Sequence, residues 1–81
     1  MGNNEFEDLA LRHVAEVSGL GQFELYVVWL CKILRNNKAM ISTTVPGDGK
    51  YFEVTYNGEK GEFYVDEYVK VSNKAFKEGD L

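Results

Sequence analysis

The chain has 81 residues and a formal net charge of −4 at pH 7, with one cysteine and one histidine. Its length accommodates one hydrophobic core, so we expect a single domain over residues 1–81. The acidic balance argues against nucleic-acid binding, which usually needs a basic face. One cysteine excludes an internal disulfide, and one cysteine with one histidine cannot supply the four ligands of a structural zinc site.

Residues 4–18 have the pattern of an amphipathic helix. Asn4 can cap its N-terminus, Glu7 completes a capping-box pair, and Gly19 provides the stop. One face carries side chains at helical spacing, namely Phe6, Leu9, Ala10, His13, Val14 and Val17. The sequence therefore predicts an N-terminal helix with one face packed on the rest of the domain.

The most apolar stretch is residues 22–34, which holds the only tryptophan and the only cysteine. Its β-branched and aromatic residues favour a strand, although helical spacing fits part of it. The apolar run is too short to cross a bilayer and carries Glu24 and Lys32. Because the N-terminus also lacks the basic and apolar regions of a signal peptide, we expect a cytoplasmic protein with no membrane association.

Three further strands are predicted, at residues 38–45, 50–56 and 61–65. Pro46–Gly49 fits a four-residue turn, because proline pre-sets the first central position and glycine accepts a positive φ. For the loop at 57–60 we also expect four residues, because a two-residue turn would place Glu53 opposite Glu62.

These turn lengths set the pairing of an antiparallel meander. The predicted pairs are Ile41 with Val54, Thr43 with Phe52, Val54 with Phe63, and Phe52 with Val65. One face of the sheet then carries Ala39, Ile41, Phe52, Val54, Tyr56, Phe63 and Val65. The other face carries Met40, Ser42, Thr44, Tyr51, Glu53, Thr55, Glu62 and Tyr64. We therefore expect a sheet that is apolar on one face and half-solvated on the other.

Residues 66–76 have the features of a short closing helix. Asp66 and Glu67 suit the positive end of a helix dipole, and Lys70 and Lys74 suit the negative end. The predicted fold is therefore α+β in the order α-β-β-β-β-α. An N-terminal helix packs on a four-stranded antiparallel meander sheet, and a short C-terminal helix follows.

Two pairings are open for the strand at 22–34. An even-length turn around Asn36 and Asn37 would place Lys32 on the core side of the sheet. An odd-length turn or a bulge would instead turn Phe23, Leu25, Val27, Trp29, Cys31 and Ile33 inward. We favour the second pairing, because it buries no charge.

Exposed apolar surface is the clearest functional signal in the sequence. In the favoured pairing the first strand leaves four apolar side chains facing outward, and Met40 and two tyrosines stand on the half-solvated face. Tyrosine is enriched in protein interfaces, although it is also common on strand surfaces. The candidate interface residues are Tyr26, Val28, Leu30, Leu34, Met40, Tyr51 and Tyr64.

The sequence offers no group of residues with a catalytic signature. His13 lies on the apolar stripe of the first helix, where a hydrogen-bonded core-edge histidine is the usual case. A Cys31–His13 nucleophile pair stays open, because distance in the fold is not readable from sequence. The lysines of the last predicted helix resemble a double-stranded-RNA-binding stripe, but that helix begins with Asp66 and Glu67. We assign no catalytic, cofactor-binding or metal-ligating residue.

Several segments together resemble the sequences of a known protein family. They are Tyr26-Val-Val-Trp29, Cys31-Lys32, Asn37-Lys38-Ala39, Ser42-Thr-Thr44 and Tyr51-Phe-Glu-Val-Thr-Tyr-Asn-Gly58. The chain resembles, over roughly residues 5–72, a family of small uncharacterised proteins encoded by phages and prophages of Gram-positive bacteria. The resemblance implies a phage-related origin and transfers no catalytic or binding residue.

We therefore expect a small non-enzymatic phage-type protein that acts by binding a host or phage protein, for example as an inhibitor of a host or defence protein. A self-associating structural protein, such as a homodimer, is the alternative. A small-ligand binder or an enzyme is the second alternative.

Overall fold

In a computed structural model, which describes residues 1–45 and 49–79, the chain forms one long helix and one antiparallel sheet. The helix α1 spans Asn3–Ser18, and a short 3-10 turn at Gln22–Glu24 follows it. The strands are β1 (Leu25–Ile33), β2 (Asn36–Thr43), β3 (Lys50–Asn57) and β4 (Glu62–Val69). They lie in the order β1-β2-β3-β4, so the predicted α+β class and meander sheet are confirmed.

Helix α1 begins one residue earlier than predicted, and its N-cap is different. Gly2 occupies the capping position without a side-chain hydrogen bond, so the predicted capping role of Asn4 is wrong. The predicted stop is confirmed, because Gly19 has a φ of 75° and its N–H donates to the carbonyl of Ala15 at 2.9 Å. Left-handed backbone of this kind suits glycine, which has no Cβ to clash.

The core forms between α1 and one face of the sheet. Phe6, Ala10 and Val14 are spaced four residues apart, so they lie in one row along the helix. They are fully buried together with sheet residues from the predicted apolar face. The core residues are Phe6, Ala10, Val14, Leu25, Ala39, Ile41, Phe52 and Val54. The predicted covered face is therefore confirmed.

The strand register differs from the prediction by two residues at both predicted junctions. Val54 pairs with Ala39 rather than Ile41, and with Val65 rather than Phe63. Side chains alternate between faces with a period of two, so a shift of two residues keeps each residue on its predicted face. The apolar pattern therefore identified the faces, although it did not fix the pairs.

The connections between strands account for the shift. The loop between β3 and β4 is residues 58–61 rather than 57–60, because Asn57 still pairs with Glu62. Between β2 and β3 the ladder ends at Ser42 and Tyr51, so this connection is longer than the predicted four residues. The predicted turn residues Pro46, Gly47 and Asp48 lie outside the described residues.

The predicted closing helix at 66–76 is wrong. Strand β4 continues to Val69, which pairs with Lys50, and residues 70–79 form no helix. Strand β3 offers a row of backbone hydrogen bonds to this segment, and those bonds outweigh its helical spacing. The last strand is therefore a second edge of the sheet, and no C-terminal helix covers the face opposite α1 in the described residues.

Candidate functional site

Strand β1 combines both pairings that the sequence left open. The hairpin between β1 and β2 has an even, two-residue turn at Leu34 and Arg35, and a bulge lies at Val28. After the bulge, Leu30 pairs with Ala39 on the helix-covered face. Before the bulge, Val27 pairs with Ile41 on that same face. A bulge adds one unpaired residue and so switches the faces of everything beyond it.

Because of the bulge, several β1 residues lie on the face opposite to the predicted one. Leu30 packs against the core, so its predicted outward position is wrong. Trp29, Cys31 and Ile33 lie on the opposite face, so their predicted inward positions are also wrong. Phe23, also predicted inward, is exposed in the 3-10 turn before the strand.

Lys32 shows why the charge argument failed. Lys32 does lie on the helix side, opposite Asn37, but at the end of the strand, where it is exposed. The even turn therefore buries no charge. A residue on the covered side is therefore not necessarily buried: Asn37 is buried, whereas Lys32 opposite it on the edge strand is exposed.

We call the side of the sheet opposite α1 the open face. Pairing arranges its side chains in three rows that run from β1 to β4. The rows are Tyr26-Ser42-Tyr51-Tyr68, Trp29-Met40-Glu53-Asp66 and Cys31-Lys38-Thr55-Tyr64. The candidate residues Tyr26, Met40, Tyr51 and Tyr64 are thus brought together on one surface.

The β1 side of the open face is apolar. Val28 is the bulged residue, and the side chains of Val28 and Trp29 are 48% and 41% exposed. A bulge sets two residues against one on the neighbouring strand, here Val28 and Trp29 against Met40. The bulge therefore gives this side of the open face a dense apolar patch.

The β4 side of the open face is aromatic and acidic. Tyr51 and Tyr68 stack with ring centroids 5.0 Å apart and an interplanar angle of 10°. The hydroxyl of Tyr64 donates to the Glu62 carboxylate at 2.7 Å. This hydrogen bond, with smaller effects of desolvation and of the carboxylate's charge, raises the pKa of Tyr64 above its usual 10.0.

The open face has an ion pair between Lys38 and Glu53, and further carboxylates close to it. Glu53 pairs with Lys38 at 3.1 Å and lies directly opposite Asp66 on the next strand. Like charges in adjacent positions repel, and the Lys38 ammonium offsets part of this repulsion. Glu62 adds a third carboxylate, beside Tyr64, so the charge is negative near Tyr64. Lys70, in contrast, lies near Tyr51 and Met40 at the other end of the face.

The two-residue turn at the tip of the β1–β2 hairpin holds an unusual residue, Leu34. Leu34 has a φ of 56° and is 89% exposed, and it is the one non-glycine residue with positive φ in the described part of the chain. Such a conformation costs a leucine about 1–2 kcal/mol. An exposed apolar side chain held in strained backbone is typical of functional positions.

A shallow depression of about 240 Å³ lies beside this tip on the open face. It is lined by Cys31, Ile33, Asn36, Asn37, Lys38 and Thr55. The Asn37 side chain itself lies on the helix-covered side, opposite Lys32, where it is buried and its amide donates to the carbonyl of Met1 at 3.4 Å. Its oxygen has no hydrogen-bond partner among the described residues. The depression is small and open, so it fits a side chain of a partner better than a separate ligand.

The structure does not bring His13 and Cys31 together. The His13 ring packs on Phe63, with ring centroids 4.7 Å apart, on the helix-covered side of the sheet. Cys31 is exposed on the open face, in the row of Lys38. A direct nucleophile–base pair therefore does not form across the sheet. Within residues 1–45 and 49–79, no group of three or more histidine, cysteine, aspartate or glutamate side chains could hold a metal ion.

The sequence matches a family of unknown function, DUF6275, over residues 4–78. The chain belongs to this family. No curated protein and no solved structure matched the chain. Membership of DUF6275 agrees with the expected resemblance to a family without an assigned activity.

Part of the open face of this DUF6275 chain was not predicted from the sequence. Trp29, Ile33 and Tyr68 lie on the open face but were expected in the core or in a helix. Counting back from an even hairpin turn would have found Trp29 and Ile33. Tyr68 continues the alternation of Tyr64 and Asp66 along β4. None of the helices in the described residues is long and apolar enough to span a membrane.

Proposed function

We propose that this chain is a non-enzymatic protein that acts by binding another protein through the open face of its sheet. The observation that carries the proposal is the concentration of aromatic and apolar side chains on a surface that no element covers in the described residues. Exposed patches of this kind on a small protein are typical of interaction sites. The apolar β1 side, with tyrosines on the neighbouring strands, also resembles a protein interface in composition.

The surface indicates the chemistry of the partner. Trp29, Val28 and Tyr26 require an apolar patch on the partner, because burying them releases bound water. The carboxylates near β4 require lysine or arginine beside that patch. The partner is therefore a protein with an apolar site bordered by basic residues. Because these carboxylates would repel phosphates, nucleic acid is a poor fit.

The source of the partner follows from the resemblance stated in the sequence analysis. A phage or prophage protein of a Gram-positive bacterium works in the host cytoplasm and binds a host or phage protein, for example to inhibit a host or defence protein. Family membership supports no more than an unknown function, so this origin and localisation are part of the proposal.

Affinity capture tests the proposal. The immobilised protein is incubated with lysate of a Gram-positive host, with and without phage infection, and bound proteins are identified by mass spectrometry. The test variant is Tyr51→Ser with Tyr68→Ser, which removes the stacked tyrosine pair from the open face. The matched control is Phe76→Ser, which removes an exposed aromatic ring that is not on the sheet.

We expect the wild-type chain and the Phe76 variant to retain the same partner and the double variant to lose it. Binding should weaken as salt rises, because the carboxylates contribute through screened charges. Recovery of nothing but the chain itself, or equal recovery by the double variant, would count against the proposal.

Self-association is a second candidate, favoured by the apolar edge strand β1. An assembly protein would form specific oligomers without any further partner. The enzymatic alternative has weaker support, because its one conceivable residue pair lies on opposite sides of the sheet.

A further inference from the structure

Strand β1 is at once the most apolar strand and an edge of the sheet. It pairs with β2 alone in the described residues, so its other side presents backbone N–H and C=O groups that can accept a further strand. The exposed large apolar residues in and around it are Phe23, Tyr26, Val28, Trp29, Ile33 and Leu34. An edge strand that is long and apolar tends to pair with another chain.

The opposite edge, β4, has a different character. It carries Glu62, Asp66 and Glu67, and antiparallel pairing of two such strands would bring carboxylates close together. Strand β1 has one charged residue, Lys32. The charge distribution therefore protects the β4 edge from self-pairing and leaves the β1 edge available.

We infer that two copies of this chain associate through their β1 edges as an antiparallel pair. The bulge at Val28 interrupts the edge, so pairing uses the regular segment after it, residues 29–33. A two-fold axis through its middle residue places Cys31 opposite Cys31 of the partner subunit. Trp29 then lies opposite Ile33 of the partner subunit, on the open face.

This arrangement is self-complementary. Each apolar Trp29–Ile33 contact occurs twice about the two-fold axis, so the assembly closes as a dimer rather than growing into a filament. The two sheets join into one of eight strands, and the two open faces lie side by side. The inference does not depend on the proposed binding function, and the two can fail separately.

Analytical ultracentrifugation over a range of protein concentrations tests the inference. We expect a species of twice the chain mass of 9.2 kDa. Ile33→Lys places a charge at the seam in both copies and should raise the dissociation constant roughly tenfold or more. Val69→Lys is the matched control, because Val69 ends the opposite edge strand and is 59% exposed, against 67% for Ile33. The control should leave the dimer unchanged.

Cys31 gives a second readout, which can first be taken on the unmodified chain. Residues directly opposite in an antiparallel pair have Cα atoms about 4.5–5.5 Å apart, within the range for a disulfide. Diamide should therefore convert the dimer to a covalent one, through the only cysteine in the chain. Ile33→Lys should slow this cross-linking, and Val69→Lys should not.

Three results would overturn the inference. The first is a chain that stays monomeric at every concentration. The second is a dimer that Val69→Lys weakens as much as Ile33→Lys does. The third is a series of large oligomers, which would indicate β1 pairing with β4 in a repeating arrangement.

Discussion

At the scale of single residues, Leu34 combines strain with exposure. Its φ of 56° carries a cost that glycine does not have, and its side chain contacts solvent rather than the core. An energetically unfavourable leucine at an exposed hairpin tip is consistent with a role in binding. Leu34 therefore lowers the stability of the fold while leaving an apolar side chain available for binding.

Replacing Leu34 by glycine should stabilise the fold. We expect the free energy of unfolding to rise by about 0.5–1 kcal/mol, because relief of the left-handed strain exceeds the added entropy of the unfolded chain. Arg35→Gly is the control: Arg35 has no positive φ, so glycine there should lower stability. Chemical denaturation measures both. Equal effects of the two changes would contradict this description of the turn.

Gly58 brings the two turns at this end of the sheet together. A Cβ at Gly58 would overlap the carbonyl oxygen of Arg35 and would lie 2.7 Å from the Cβ of Arg35. The Gly58 N–H also donates to the side-chain oxygen of Asn36 at 3.2 Å. The close approach of the β3–β4 loop to the β1–β2 turn therefore requires glycine.

Gly58→Ala should lower the free energy of unfolding by about 1–3 kcal/mol, because backbone must move to admit the methyl group. Lys60→Ala, an exposed change in the same loop, should alter it by less than about 0.5 kcal/mol. Thermal or chemical denaturation of both variants measures the difference. A neutral Gly58→Ala would mean that the two turns are not packed together.

At the scale of elements, the bulge in β1 decides which residues face the core. Val27 packs against the core, whereas its neighbour Val28 is about half exposed on the open face. Two adjacent valines with the same side chain thus have different environments. Comparing the stability of variants at Val27 and at Val28 therefore tests the pairing register of β1.

Val27→Lys should cost about 2–4 kcal/mol of stability, because a charge would be moved into the edge of the core. Val28→Lys should cost less than about 1 kcal/mol, because its side chain stays in water. Comparing the denaturation midpoints of the two variants tests the position of the bulge. A larger loss for Val28→Lys would place the bulge elsewhere.

The elements differ in how well the sequence predicts them. Helix α1 is predictable because Phe6, Ala10 and Val14 encode its buried face locally. The assignment of sheet faces also survives a wrong register, because alternation has a period of two. The end of β4 is not predictable in this way. Tyr68 and Val69 fit a helix by spacing, and it is their pairing with β3, including the stacking of Tyr68 on Tyr51, that keeps them in a strand.

At the scale of the whole molecule, the described part of the chain covers the sheet on one side only. The helix stripe fills one face, and the open face retains aromatic and apolar side chains in all three rows. A small domain gains stability when such a surface is buried by a second chain. The proposed partner binding follows from this asymmetry, whereas the proposed pairing of β1 edges follows from the apolar edge that β1 leaves unpaired among the described residues.

The candidate surface was predictable in part. Tyr26, Val28, Met40, Tyr51 and Tyr64 lie on the open face, and Leu34 is exposed at the hairpin tip beside it. Leu30 was wrongly predicted to face outward and Trp29 to face inward, and both errors have the same cause. The sequence Val27-Val28-Trp29 has no glycine or other mark of a bulge, so the change of face within β1 is visible only in the pairing with β2.

The single tryptophan of the chain provides the most direct test of the central claim, that the open face is an uncovered binding surface. The measurement is acrylamide quenching of Trp29 fluorescence in the unmodified chain, at a concentration where ultracentrifugation finds the monomer. We predict a solvent-exposed emission maximum and efficient quenching, and then protection when a captured partner is added. Fluorescence of a buried indole in the monomer, resistant to acrylamide, would contradict the account.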